Sequence, residues 1–225
     1  MKRYIFFLAF IFLAGAACCQ DQAQSYDSSF KALYKAVALH PGRINREGEI
    51  SDSKIKRWDK DIVIYVQGGS VKSRKKILSK LKNTIAAISP ALDNKIKISF
   101  TNNMPLANYL IDLDFTGRNG WYLKWDGFDN IYSCRLLINS GMIFNRDEQA
   151  GLVSHYFLTS LGDFVFIKKD NPVFSGDTSV VSNISIWRQD INSVDLRILR
   201  LSYSDDIKPG MAEKDIDRYF ARQGN

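Results

Sequence analysis

Residues 61–88 constrain the fold more than any other stretch, because a strand apolar on both faces runs directly into a long amphipathic helix. In Asp61 to Gln67, Val63 and Tyr65 alternate with Ile62, Ile64 and Val66, so neither face belongs in water. Such a strand is expected in the middle of a sheet. Gly68-Gly69 ends it, and Ser70 is placed to cap a helix whose Val71, Leu78, Leu81, Ile85 and Ile88 form one stripe. Lys72, Lys75, Lys76, Lys80 and Lys82 occupy much of the remaining helix surface, and Pro90 closes it. A solvated outer face is the expectation for those lysines, with weak attraction to anionic headgroups as a second contact if the chain is lipid-anchored.

Patterning extends the element order in both directions. Ser28 or Ser29 caps a short helix carrying Phe30, Leu33, Tyr34, Val37 and Leu39, which Pro41-Gly42 stops. After Pro90, strands are expected over Lys95 to Thr101, Tyr109 to Phe115, Gly120 to Trp125 and Ile131 to Asn139. A helix follows over Asp147 to Leu161, then loop-rich sequence from Gly162 to Ser185, a helix over Val194 to Tyr203 and a last one bearing Ile216, Tyr219 and Phe220. The class is α+β: one mixed twisted sheet, a long early helix, a central helix and a helical C-terminal part.

The N-terminus reads as an export signal. Lys2 and Arg3 precede an apolar run from Tyr4 to Leu13, and Ala14-Gly15-Ala16-Ala17 supplies small residues for cleavage. That run is shorter than the roughly 20 residues a bilayer span needs. We therefore divide the chain into a signal peptide over 1–17, a tether with N-terminal helix and loop over 18–54, and one domain over 55–225. Losing Lys2 and Arg3 takes 31 basic residues to 29 against 24 acidic, a mature charge of +5. Cys18 follows small residues as a lipid-attachment cysteine does, although Leu13 stands two residues early for that signal. Cys134 is the only cysteine within the domain, so no internal disulfide framework is expected, and it reads as a small apolar strand residue.

The central helix carries His155-Tyr156-Phe157-Leu158-Thr159-Ser160-Leu161-Gly162. A zinc-peptidase helix needs His-Glu-x-x-His, with two imidazoles one turn apart and a glutamate beside the metal-bound water. Here His155 holds the first position and Gly162 the trailing glycine. Tyr156 replaces the glutamate, Thr159 the second histidine, and Val165 stands where some families place a third ligand. A phenol near pKa 10 is a poor base toward metal-bound water. Thr159 is expected to bond back to a carbonyl of the preceding turn. His155 is the one weak candidate for a metal; His40 has no ligand spacing to it, and Asp163 and Glu148 flank the helix at awkward distances.

Several fragments resemble a secreted bacterial family called domain of unknown function 2927. They are Arg57-Trp58, Ala107-Asn108, Leu161-Gly162, Asn183-Ile184-Ser185-Ile186-Trp187, the run from Asp195 to Tyr203, and Lys208-Pro209-Gly210-Met211. That family resembles the zincin metallopeptidases with an incomplete metal site. The resemblance implies a zincin-like order, β-α-β-β-β and then a degenerate active-site helix beneath the sheet, with Asp195 to Tyr203 packing under it. The family usually has acidic residues where this chain has His155 and Tyr156, and often glutamine at Thr159.

The resulting expectation is an exported, non-catalytic zincin-like domain with no cofactor, acting by binding in the periplasm or on an envelope membrane. Its partner would be an envelope protein or glycan, not nucleic acid, since no aromatic residues interleave with the lysines. A metal-dependent peptidase with atypical ligands is one alternative. The other is an envelope glycan-binding protein using Trp121 and Trp125, which project from one side of their strand and are expected to be at least partly buried.

Overall fold

The computed structural model describes residues 26–39, 53–141, 145–165 and 191–223. The export signal, Cys18, His40 and Asn183 to Trp187 lie outside the described residues. The elements run α1 (Ser28–Ala38), β1 (Arg57–Trp58), β2 (Ile62–Gln67), α2 (Val71–Ile88), β3 (Ile98–Phe100), β4 (Tyr109–Asp112), β5 (Gly120–Trp125), β6 (Asn130–Leu137), α3 (Arg146–Ser160), α4 (Ser193–Ser202) and α5 (Glu213–Gln223).

The sheet is mixed, in the order β1-β6-β4-β2-β3, with β5 added on β6. Every pairing is parallel except β5 with β6, which is antiparallel. As its two apolar faces require, β2 lies between neighbours, β3 on one side and β4 on the other. Register puts Ile64, Tyr109, Cys134 and Leu123 in one row across the sheet. Alternation then gives one face to Ile62, Ile64, Tyr109, Ile111, Cys134 and Leu136, all buried. That face meets the helices: the Tyr109 ring stands edge-on to Phe157 of α3, with centroids 5.5 Å apart. The opposite face is more open, and on it Arg135 reaches Asp112 at 2.7 Å. Burial of Asp112 opposes ionisation, but hydrogen bonds from Arg135 and Gln67 outweigh it and hold the carboxyl below its usual range.

Two expectations about helix chemistry are corrected. The cap of α1 is Asp27, not Ser28 or Ser29: its Oδ1 accepts from the Phe30 amide at 2.8 Å and from the Ser29 hydroxyl at 2.5 Å. A carboxylate one residue earlier satisfies an amide of the first turn and complements the helix dipole. In α2, capped by Ser70 as expected, the buried stripe is Ile77, Leu81, Thr84 and Ile88, while Val71 is exposed. Thr84 turns inward because its hydroxyl meets that of Ser154 on α3 at 2.5 Å. The pairing lets two polar groups be buried together.

Strands β3 and β4 are shorter than their apolar patterns suggest. The chain leaves β4 at Leu113, and Asp114 instead caps the Gly69 amide at 2.8 Å. At the other end of the molecule α1 packs on α5, with Tyr34 edge-on to Phe220 and Lys35 reaching Glu213 and Asp217 at 2.7 and 2.8 Å. The buried side chains of α1 thus belong to the same core as the sheet. Among the described residues no helix is long and apolar enough to cross a membrane.

Candidate functional site

Helix α3 is the element on which any site of the expected kind depends. Asn145 caps it, accepting from the Asp147 amide at 2.8 Å, and Asp147 and Glu148 suit the positive end of its dipole. Lys76 of α2 reaches Asp147 at 2.5 Å. Every residue from Gln149 to Ser160 is buried. Small and polar side chains are distributed around the apolar ones, so no single face is marked for solvent.

The far end of α3 is held by groups from three other elements. A helix leaves its last carbonyls without internal partners. Here Trp58 Nε1 donates to Ser160 O at 3.1 Å, and the Tyr203 hydroxyl donates to Leu161 O at 2.8 Å. The Ser160 hydroxyl donates to Phe157 O at 2.7 Å, so it is the acceptor for the Tyr109 hydroxyl, 2.8 Å away. Beside Trp58, Arg57 donates through Nη1 to Ser202 O and Ser204 O at 2.8 and 3.1 Å, closing the end of α4. Sequence reasoning singled out Arg57-Trp58 for its resemblance alone; nothing local signals that adjacent side chains finish two different helices.

The motif residues fall as helical spacing demands, with His155 and Thr159 on one face. His155 is only 1% exposed, and burial lowers its imidazole to about 4, so it is neutral at pH 7. Its ring centroid lies 5.9 Å from that of Tyr156. Burial raises the Tyr156 phenol above its usual value, and its ring packs 5.2 Å from Trp121 of β5. The Thr159 hydroxyl donates to Tyr156 O at 3.0 Å, the back-bond expected of a buried helical threonine. Gly162 is a matter of space: a Cβ there would lie 2.4 to 2.9 Å from the Phe164 ring. The left-handed residue of this turn is Asp163, at φ 50. Val165 donates its amide to Val37 O of α1 at 3.1 Å.

These residues do not fit a zinc site. His155 is the only imidazole among the described residues, and the Thr159 hydroxyl is committed to a carbonyl. Glu148 lies seven residues before His155, about 10 Å along the axis, and Asp163 lies beyond the other end of the helix. Among the described residues no three of His, Cys, Asp and Glu are grouped to hold an ion. Cys134 is buried on β6 and burial pushes its thiol up to about 12, which suits a packing residue and not a nucleophile.

Trp121 and Trp125 share one side of β5 and both are half-buried. Their neighbours are protein groups: Tyr156 for Trp121, and for Trp125 the Lys56 ammonium, 4.9 Å from the ring centroid. A more open surface escaped the sequence reading. A groove of about 400 Å³ lies between the β5–β6 turn and the Pro209-Gly210-Met211 turn, with Lys54 and Asp215 in its lining. Phe128, at the tip of that hairpin, is 79% exposed. Its signal in the sequence was an aromatic residue inside a polar turn, Asp126-Gly127-Phe128-Asp129.

A scan against protein-family models and a search of curated proteins find no match for the chain.

Proposed function

We propose that this chain is an exported zincin-like domain that has lost catalysis and works by binding, in the periplasm or on an envelope membrane. The observation that carries the reading is the burial of α3 through twelve consecutive residues, with the two ligand positions, His155 and Thr159, closed inside it. A catalytic zinc keeps one coordination position open to water and substrate. A helix closed on every side serves as a core strut.

Two features support the zincin-like part. A strand, β2, leads into the long α2; a run of strands follows; and then comes α3, packed against α2 and against β5 and β6. This is the resemblance's order with β1 ahead of it and one more strand before α3. At the end of α4 the Tyr203 hydroxyl donates to Leu161 O at the end of α3, a contact in keeping with the supporting role that the resemblance to domain of unknown function 2927 implies for Asp195 to Tyr203. The contrast between a closed α3 and the open groove beside Phe128 favours a binding role elsewhere on the surface.

Metal analysis of purified mature protein tests the reading. No stoichiometric zinc is expected, and His155→Ala should leave the metal content unchanged. One zinc per chain, lost on His155→Ala, would overturn the proposal in favour of a peptidase with atypical ligands. Membrane fractionation of Cys18→Ser tests the anchor: release or accumulation of unprocessed protein is expected, and an unchanged membrane fraction rejects acylation there.

A further inference from the structure

Helix α2 carries Lys72, Arg74, Lys75, Lys76, Lys80 and Lys82 over eighteen residues and no acidic residue. Contacts within the fold engage part of this charge. Arg74 donates to the carbonyls of Gly68 and Gly69 at 2.8 and 2.7 Å, and Lys76 is paired with Asp147. Lys72, Lys75 and Lys82 are different. All three are exposed. Helical spacing places them on the ridge opposite the buried Ile77, Leu81, Thr84 and Ile88, pointing away from α3. Lys72 and Lys75 also stand near the helix N-terminus, where the backbone dipole adds to their charge instead of offsetting it. Isolated, that arrangement costs the helix stability; beside an external anionic surface it becomes favourable. At the same end Val71 is 60% exposed, an apolar side chain next to the cations.

We propose that the Lys72–Lys75–Lys82 ridge of α2 docks on an anionic lipid surface, with Val71 entering the headgroup layer. Charge complementarity selects the partner: a one-signed ridge about three turns long matches a laterally extended field of headgroups. Three lysines alone give weak, reversible attachment, which suits a second contact alongside an acyl chain and not a sole anchor. The inference rests on the envelope reading above.

The test is co-sedimentation of the mature chain, residue 18 onward with Cys18→Ser so that no acyl chain contributes, with two kinds of vesicle. One is pure phosphatidylcholine and the other contains about one-third phosphatidylglycerol. Binding to the anionic vesicles only is expected, weakening as salt rises. The triple variant Lys72→Gln, Lys75→Gln, Lys82→Gln should lose on the order of 100-fold in affinity, about fivefold per lysine. Its circular dichroism and melting temperature should match the parent, since the three side chains lie outside the core. Equal binding to both vesicles, no binding to either, or an unweakened triple variant would each overturn the proposal. Binding of a phosphorylated protein in preference to the vesicles would do so as well. A chain found in the periplasm that ignores anionic vesicles loses this inference alone, whereas a chain retained in the cytoplasm removes the envelope reading itself.

Discussion

The indole nitrogen of Trp58 donates to the carbonyl oxygen of Ser160 across 102 residues of chain, at 3.1 Å and out of contact with water. One side chain from the first strand thereby completes the last turn of the central helix. Arg57, its neighbour, completes α4. The two residues fasten the helical layer to the sheet at one point.

Replacing that indole tests its weight. Trp58→Phe keeps an aromatic ring but leaves the Ser160 carbonyl buried without its donor, which should cost about 1–3 kcal/mol. Trp58→Ala adds a cavity and should cost about 3–5 kcal/mol. Urea unfolding followed by circular dichroism reads both. A phenylalanine variant as stable as the parent would mean that the bond contributes nothing.

The hydroxyl pair between α2 and α3 should show coupling. Thr84→Val and Ser154→Ala each strand a buried partner and should each cost about 1–2 kcal/mol. The double variant removes both groups and should lose less than the sum, by at least about 0.5 kcal/mol. Strict additivity in a double-mutant cycle would show that the two groups do not interact.

Gly162→Ala should destabilise the fold by about 1–3 kcal/mol, because the new methyl would have to displace the Phe164 ring. Shrinking the ring in Gly162→Ala/Phe164→Leu should restore part of that loss. The strain lies in the approach of the ring, so a backbone explanation predicts no rescue.

Acid should act through His155. In the unfolded chain an imidazole takes up its proton near pH 6.5, whereas in the folded protein burial delays this to about 4. Between those values the unfolded state binds more protons, so stability is full above about pH 6.5 and falls as pH drops. The loss approaches about 3 kcal/mol once pH is below 4. Denaturation midpoints from pH 7.5 to 4.5 should decline more steeply for the parent than for His155→Gln. Parallel curves would mean that His155 does not carry the effect.

Where neighbouring residues decide a structure, the sequence was readable. The limits of β5, the position of β2 inside the sheet, the Ser70 cap and the start of α3 follow from alternation, turn glycines and capping chemistry within a few residues. The misreadings have local causes too. Asp27, Ser28 and Ser29 all favour a cap, and the choice went to the residue whose carboxylate could take both a hydroxyl and an amide. Thr84 was passed over in the α2 stripe because a threonine counts as polar until Ser154 is known to face it. Distant pairings left no trace. The groups that meet α3 include Trp58, Tyr109, Trp121 and Tyr203 beside those of α2, and no window of sequence contains them together. The motif itself showed which chemistry had been replaced, but it could not show that Tyr156 would be packed against Trp121.

The packing of α1 on α5 has a consequence for how the chain acquires its shape. A polypeptide emerging from the ribosome presents its early residues first. Tyr26 and Tyr34 therefore lack these ring partners until Tyr219 and Phe220 have emerged nearly two hundred residues later. Over that interval the first helix is a sticky, unsheltered segment, and a chaperone waiting at the exit would find its grip there.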